Sequence, residues 1–553
     1  MYIVIEINAK AVLLKGLSVS EMVWKNSAIL LSSFANRLGF TTQHTVFIIP
    51  IKPCSRRFLN RRKVTLDSFL QVKGFANSEL RGVRVRSSSS TVSRTNDAGK
   101  APARPLDHAL PADIEAGARA KLDFSCPSTF RYKTAWELLR GLLVLKLSSY
   151  QKFVDNSLKI MGVSQRILGQ RLFGVAARCT FYGHFIAGEG EAEARRLVER
   201  HEKLGVATIL SVTAEEDVGE TVGSYDEPRY DHNANGYMQC MDLSLALSRR
   251  FRPVSQLKVT SFAKADVLAR VTELLQENSL PYDNNSPLSV GNLAKGLDGQ
   301  MLSIPGLNEA ENKHLRLVLK RLNEIGQRAI KNNAQLLVDA EKTNINPGIT
   351  LLCLALMLKF NKEFPVIWNT YQCYLKQTMN EVRNDLQWSE QQGICFGVKI
   401  VRGAYMDAER AYAAEHGLED PVHPSFEATS DMYNAVIAFM LNHIHRNPGR
   451  CGLIVATHNE ESVLRAVIRM EELELSPTSG EVIFGQILGL SDRITVALGQ
   501  AGYLIYKSSP YGPVDDVLPY LARRALENRA ILQNTHRERS LMVQEIKTRF
   551  SLR

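Results

Sequence analysis

The sequence is short of several things, and each shortage removes a class of protein. No Cys-x-x-Cys occurs among its eight cysteines (Cys54, Cys126, Cys179, Cys240, Cys353, Cys373, Cys395 and Cys451). Neither a zinc ribbon nor a disulfide framework is indicated, and a reducing compartment with thiols buried as small apolar groups is expected. No apolar run reaches the roughly 18 residues that a membrane-crossing helix requires; the apolar pieces at 28–31 and 46–51 are short and interrupted. A Gly-x-Gly-x-x-Gly turn is missing, and Gly188-Glu-Gly190 runs into a charged helix, which argues against a Rossmann nicotinamide site. His-Glu-x-x-His is missing too. His184, His201 and His458 fall on different elements, and His443-Ile-His445 lies in a helical stretch whose i and i+2 side chains face apart. Asp231-His-Asn-Ala-Asn-Gly236 with Asp242 imitates a calcium loop, but has two carboxylates, a short Asp where a bidentate Glu belongs, and no entering helix. No metal is expected.

Acidic residues are scarce only at the start. Residues 1–100 hold 16 Lys/Arg against 5 Asp/Glu, whereas residues 101–553 hold 52 of each, so the whole net charge of +11 sits in the first hundred residues. That segment is rich in Arg and Ser, with Arg56-Arg57, Arg61-Arg62-Lys63 and Ser87 to Ser90 flanked by arginines, and it resembles a transit sequence. A DNA-binding role would need a folded module there, but the composition reads as disordered. No nucleic-acid partner is expected.

What is present is a long alternation of strand and helix. The reading divides the chain into a basic segment (1–100), a helical arm (101–200, with apolar periodicity at 130–147 and 163–180) and a catalytic body (201–545). In the body eight β-branched runs, 206–212, 256–260, 334–339, 365–368, 396–401, 452–457, 481–484 and 503–506, alternate with helices. Strict alternation implies a parallel sheet, and eight units imply an α/β fold closed as a (β/α)₈ TIM barrel, whose active site lies at the strands' C-terminal ends. Polar residues bunch there: Lys258, Asp339 with Glu341, Gln372, Lys399 with Arg402 and Tyr405, Thr457-His458-Asn459, and Gln486. After the last run, Pro513 and Pro519 suit a loop and a first helical turn. Tyr520, Arg523, Arg524 and Glu527 then share one helical face, where two guanidinium forks suit a small carboxylate better than a phosphodiester.

Phe396-Gly-Val-Lys-Ile-Val-Arg-Gly-Ala-Tyr405, Val338-Asp-Ala-Glu341, Trp368-Asn-Thr-Tyr-Gln372, Ala456-Thr-His-Asn459, Phe484-Gly-Gln-Ile-Leu-Gly489 and Tyr520-Leu-Ala-Arg-Arg-Ala-Leu-Glu-Asn528 together resemble the proline dehydrogenase family, over residues 170–545. The resemblance implies a distorted barrel holding non-covalent FAD and oxidising a proline-type ring at its C–N bond. It also implies electrons passed to ubiquinone, mitochondrial residence on the matrix side of the inner membrane, and peripheral contact with that membrane. It carries over residue by residue. Arg523 and Arg524 match the carboxylate-binding pair, with Lys258 a further contact, and Tyr405 and Tyr520 match aromatics that wall the ring. Asp339 and Lys399 match catalytic positions beside the isoalloxazine. Gln372, Arg402, Gly403, Ala404, Thr457, His458 and Glu527 match cofactor contacts, with Gly403-Ala404 small so that backbone can approach the cofactor.

One position departs. Proline-specific members carry Tyr where Ser508 stands; the smaller side chain opens volume beside the ring and leaves a small donor and acceptor. With Lys507-Ser-Ser-Pro-Tyr-Gly512 and a short connection between Lys258 and Asp339, the chain looks most like the animal hydroxyproline dehydrogenases. Trans-4-hydroxy-L-proline is the expected substrate and L-proline the alternative. A non-catalytic barrel would have lost the charged strand ends, and all of them are present.

Overall fold

The computed structural model describes residues 2–6, 46–50, 122–213, 225–278, 282 and 286–551. In the first of two units, Met1–Gly99, β1 (Tyr2–Glu6) and β2 (Val46–Pro50) pair antiparallel, Tyr2 opposite Pro50. The Arg/Ser-rich part of the expected basic segment lies outside the described residues.

The second unit, Lys100–Arg553, carries β3 (Val206–Ser211), β4 (Val254–Leu257), β5 (Gln335–Val338), β6 (Ile367–Gln372), β7 (Phe396–Val401), β8 (Cys451–Ala456), β9 (Val482–Ile487) and β10 (Ile505–Pro510). They form one parallel sheet in the order β3-β10-β9-β8-β7-β6-β5-β4. Helices separate successive strands, so this is a (β/α)₈ barrel, closed by ladders except at the seam between β3 and β4. Side chains bridge that seam: the Tyr506 hydroxyl donates to the Arg252 carbonyl at 3.1 Å and Ser508 to Gln256 at 2.5 Å.

Alternate residues of every strand face inward. Ala207, Ile209, Val254, Leu337, Trp368, Ile454, Ile483 and Tyr506 form one buried cluster inside the barrel. Trp368 plugs it: a Cβ added to Gly397 or Gly452 would stand 2.7 or 2.2 Å from the indole, so those neighbours must be glycine. Outward residues meet the helices. The helix Glu309–Lys331 opens with a reciprocal cap between Asn308 and Glu311 and buries Leu315, Val318, Leu319, Leu322 and Ile325; each such side chain contributes about 1.5–3 kcal/mol. Below the strands, buried Asn361 donates to the carbonyls of Ile367 and Cys395 and accepts from the amides of Val366 and Ile367, which fixes β6 beside β7.

All eight expected strands exist, with shifted ends. The fourth expected run, 365–368, belongs to a strand continuing to Gln372, and 503–506 to one continuing to Pro510. The run 256–260 is displaced: β4 ends at Leu257 and Val259–Ser261 is a 3-10 turn, because Thr260 turns aside to bond the Glu341 carboxylate through its hydroxyl at 2.9 Å. The arm forms helices at Ala135–Ser148 and Ser157–Cys179. The calcium-loop imitation is helical throughout, inside Glu227–Leu247, and among the described residues no group of three metal-ligating side chains is found. Nor is any described helix long and apolar enough to cross a membrane.

Candidate active site

Several inward side chains near the C-terminal rim are polar, and β7 supplies the first. Lys399 lies level with Thr370 of β6, one inward position above the Trp368 plug. Its ammonium pairs with the Asp339 carboxylate at 2.5 Å; the lysine side chain is 9% exposed and the aspartate 33%. Asp339 directly follows β5, and its amide donates to Leu257 of β4, so three strands converge on the pair. Lys258, directly after β4, stands 3.8 Å from Glu341. Burial raises the Glu341 pKa against the lowering effects of Lys258 and Thr260.

The rim from β6 to β8 is built around Arg402. Its two terminal nitrogens donate to Thr457 Oγ1 at 2.6 Å and Ser462 Oγ at 2.7 Å, while the guanidinium lies over the Tyr433 ring at 4.2 Å. His458 uses both ring nitrogens, one at 3.1 Å from Ser491 Oγ and the other accepting from the Ile487 amide. Burial drives its pKa down to about 3, so the imidazole stays neutral. Gln372 donates to the Glu341 carbonyl at 2.6 Å. Two buried atoms here lack a partner: Gln372 Oε1 and Arg402 Nε. Such atoms cost about 1–3 kcal/mol each unless something supplies a bond, and both come from residues expected to hold a cofactor.

Gly403 has a structural reason of its own. At φ +139° its Cβ would fall 1.6 Å from the Tyr374 ring, so packing against Tyr374 alone requires glycine, with or without a cofactor. Glu409 was not legible in the sequence as part of the rim. It accepts from Thr343 after β5 and Tyr374 after β6, and lies on the helix Met406–Glu415, whose N-cap is Tyr405. One buried carboxylate thus ties three rim loops together.

The helix Val514–Glu527 leaves the end of β10, and its apolar face, Val514, Val517 and Leu518, packs on Phe173, Ala177, Tyr182 and Ile186 of the arm. Just past its end, Arg529 pairs with Asp407 at 2.8 Å, in the segment after β7. The helix therefore runs across the mouth, with Tyr520, Arg523, Arg524 and Glu527 half-buried on another face. Arg524 pairs with Glu527 at 2.6 Å and lies 5.3 Å from the Tyr520 ring centre. Pro519 is the sixth residue of this helix rather than part of its first turn.

Ser508 lies inside the last strand, beyond the end of the expected run 503–506. It is the fourth residue of β10, level with Ile209 and Ile487, inward by the parity it shares with Tyr506, and its hydroxyl donates to Gln256 Oε1. Gln486, by contrast, faces outward, bonding Thr495 of the following helix and the Thr457 carbonyl. Sequence reasoning passed over Gln256 because it opens the expected run 256–260, at the end of the strand away from a barrel's active site.

The family described as proline dehydrogenase matches residues 194–537. The chain is 43% identical over 434 residues to the hydroxyproline dehydrogenase of Xenopus laevis, covering 78% of this chain and 91% of that protein. It is 41% identical over 425 residues to that of Homo sapiens, covering 75% and 91%. To the human protein named proline dehydrogenase 1, mitochondrial, it is 31% identical, covering 77% and 89%. Among solved structures, proline utilization A of Bdellovibrio bacteriovorus, inactivated by N-propargylglycine, superposes with a TM-score of 0.54 at 16% identity. That is a likeness of fold, spanning 79% of this chain and 43% of the longer one. The chain belongs to the proline dehydrogenase family.

Proposed function

We propose that the protein is an FAD-dependent dehydrogenase of trans-4-hydroxy-L-proline, acting in mitochondria at the matrix side of the inner membrane and passing electrons to ubiquinone. The observation that carries the substrate choice is Ser508, a small hydroxyl-bearing residue facing into the lumen where the proline-specific pattern has a phenol.

The residues fit such a cofactor. Gln372 Oε1, left without a partner, would accept a hydrogen bond from it; Arg402, Thr457 and His458 line the same rim; Gly403 and Ala404 would let it come close to the backbone; Glu527 lies on the helix above. When bound, FAD supplies the two-electron acceptor. The chain's own residues hold and orient the imino acid. Arg523 and Arg524 take its carboxylate from above, Lys258 adds a charge-assisted contact, and Tyr405 and Tyr520 wall the ring. The Lys399–Asp339 pair is a fixed dipole beneath it. The ring nitrogen loses its proton, C5–H departs with its electron pair, and a C=N bond remains, giving 3-hydroxy-pyrroline-5-carboxylate. A protonated nitrogen cannot support this loss, so turnover rises with pH as the bound ring ammonium deprotonates.

The test is Ser508→Tyr. A pocket wall that merely tolerates a hydroxyl discriminates by about 10²-fold or less, so the wild type should prefer hydroxyproline without excluding proline. The tyrosine should bring the ratio of kcat/KM values to unity or below. If the wild type prefers proline, or the substitution lowers both activities equally, the enzyme is a proline dehydrogenase.

A further inference from the structure

Within that reading, we infer that Gln256 is a second specificity determinant, one that makes Ser508 an acceptor and so lets the site recognise a ring substituent by its ability to donate a hydrogen bond. A serine hydroxyl has one proton and two lone pairs. The proton of Ser508 goes to Gln256 Oε1 at 2.5 Å, and an amide oxygen can only accept, so the roles are fixed. What Ser508 has left to offer is acceptance. The adjacent Ser509 shows what a serine does here without such a partner: its hydroxyl folds back onto its own strand, donating to the Lys507 carbonyl at 3.1 Å. Ser508 instead reaches over β3 to β4, across the seam where no ladder holds the two strands.

Gln256 stands two residues before Lys258 on the same inward-facing line, so the strand that adds a charge for the substrate carboxylate also sets the polarity of the selector. Once Ser508 is fixed as an acceptor, a C4 hydroxyl satisfies it and an unsubstituted ring leaves it bare. Unlike the volume opened by the missing phenol, this discriminates by chemistry: a substituent of the right size that cannot donate gains nothing.

Two measurements test this with purified, flavin-loaded protein. The first compares L-proline, trans-4-hydroxy-L-proline and trans-4-fluoro-L-proline as substrates of the wild type, reading kcat/KM. The fluorine occupies the hydroxyl's place and cannot donate, so the fluoro compound should fall at least tenfold below hydroxyproline; parity with hydroxyproline overturns the inference. The second takes Gln256→Met, close in volume and without the acceptor. It should lower the hydroxyproline-to-proline ratio about tenfold, and the same change made in Ser508→Ala should move the ratio less than twofold, since both act through one hydrogen bond. A ratio unmoved by Gln256→Met, or additive effects in the double variant, overturns it. A wild type with no preference for hydroxyproline would instead refute the proposed function, leaving the two failures distinguishable.

Discussion

The ion pair at the barrel's centre makes the most demanding stability prediction, because its two partners are not equally buried. Lys399 keeps 9% of its side chain accessible and Asp339 33%. Asp339→Asn strands an ammonium inside the lumen, at most facing a neutral amide, and should cost about 3–5 kcal/mol, the usual penalty for an uncompensated buried charge. Lys399→Met strands a carboxylate that water at the mouth can still reach. Its cost should lie between the buried and surface limits, at about 1–3 kcal/mol. Urea denaturation of the two flavin-loaded variants at one pH, followed by far-ultraviolet circular dichroism, reads the difference, with unchanged slopes as the sign that stability alone has moved. The reversed order, or equal losses, would refute the argument that access from the mouth sets the environment of this pair. The double variant, left with no lone buried charge, should lose less than the sum of the two.

Two further predictions concern the helix over the mouth and a buried histidine beside β3. Arg523→Met and Arg524→Met should each weaken substrate binding by about 2–5 kcal/mol, seen as a raised KM in protein that still folds and holds flavin. Unchanged constants would return the pair to an ordinary surface ladder. His201 is buried, and burial, aided by the charge of Arg200, lowers its pKa to about 3. Between that value and 6.5 the unfolded chain binds a proton the native state refuses, so stability is full above pH 6.5 and falls as pH drops through the window. The gap in stability between wild type and His201→Gln should therefore shrink by about 2 kcal/mol from pH 7 to pH 5; parallel pH profiles would contradict it.

The alternation of apolar runs made the barrel legible, because core-facing β-branched residues announce themselves whatever their neighbours. Strand ends were harder. β10 carries Lys507 and Ser509, both buried, and a lysine inside a strand reads as an end. Here its ammonium is held by the Leu490 and Ile487 carbonyls and by Asp492 at 2.9 Å. Asp492 in turn takes Lys133 of the arm at 2.5 Å and donates its amide to Glu538. No spacing rule relates residues 133, 492, 507 and 538; only the fold does. The arginine face of Val514–Glu527 was readable because helical spacing is local, whereas Gln256 and Ser508, 252 positions apart, meet only across the barrel seam. Gly403 carries the opposite lesson: its need for glycine was assigned to a cofactor, and the Tyr374 ring explains it without one.

Whether this barrel oxidises a hydroxylated proline ring with a bound flavin is decided by one anaerobic measurement. Purified protein is mixed separately with trans-4-hydroxy-L-proline and L-proline, and the flavin absorbance is followed as it bleaches. The protein should be yellow, and its flavin should be reduced by both compounds and faster by hydroxyproline, by about 10²-fold or less. A protein that binds no flavin, or a flavin that neither compound bleaches, would contradict the proposed function.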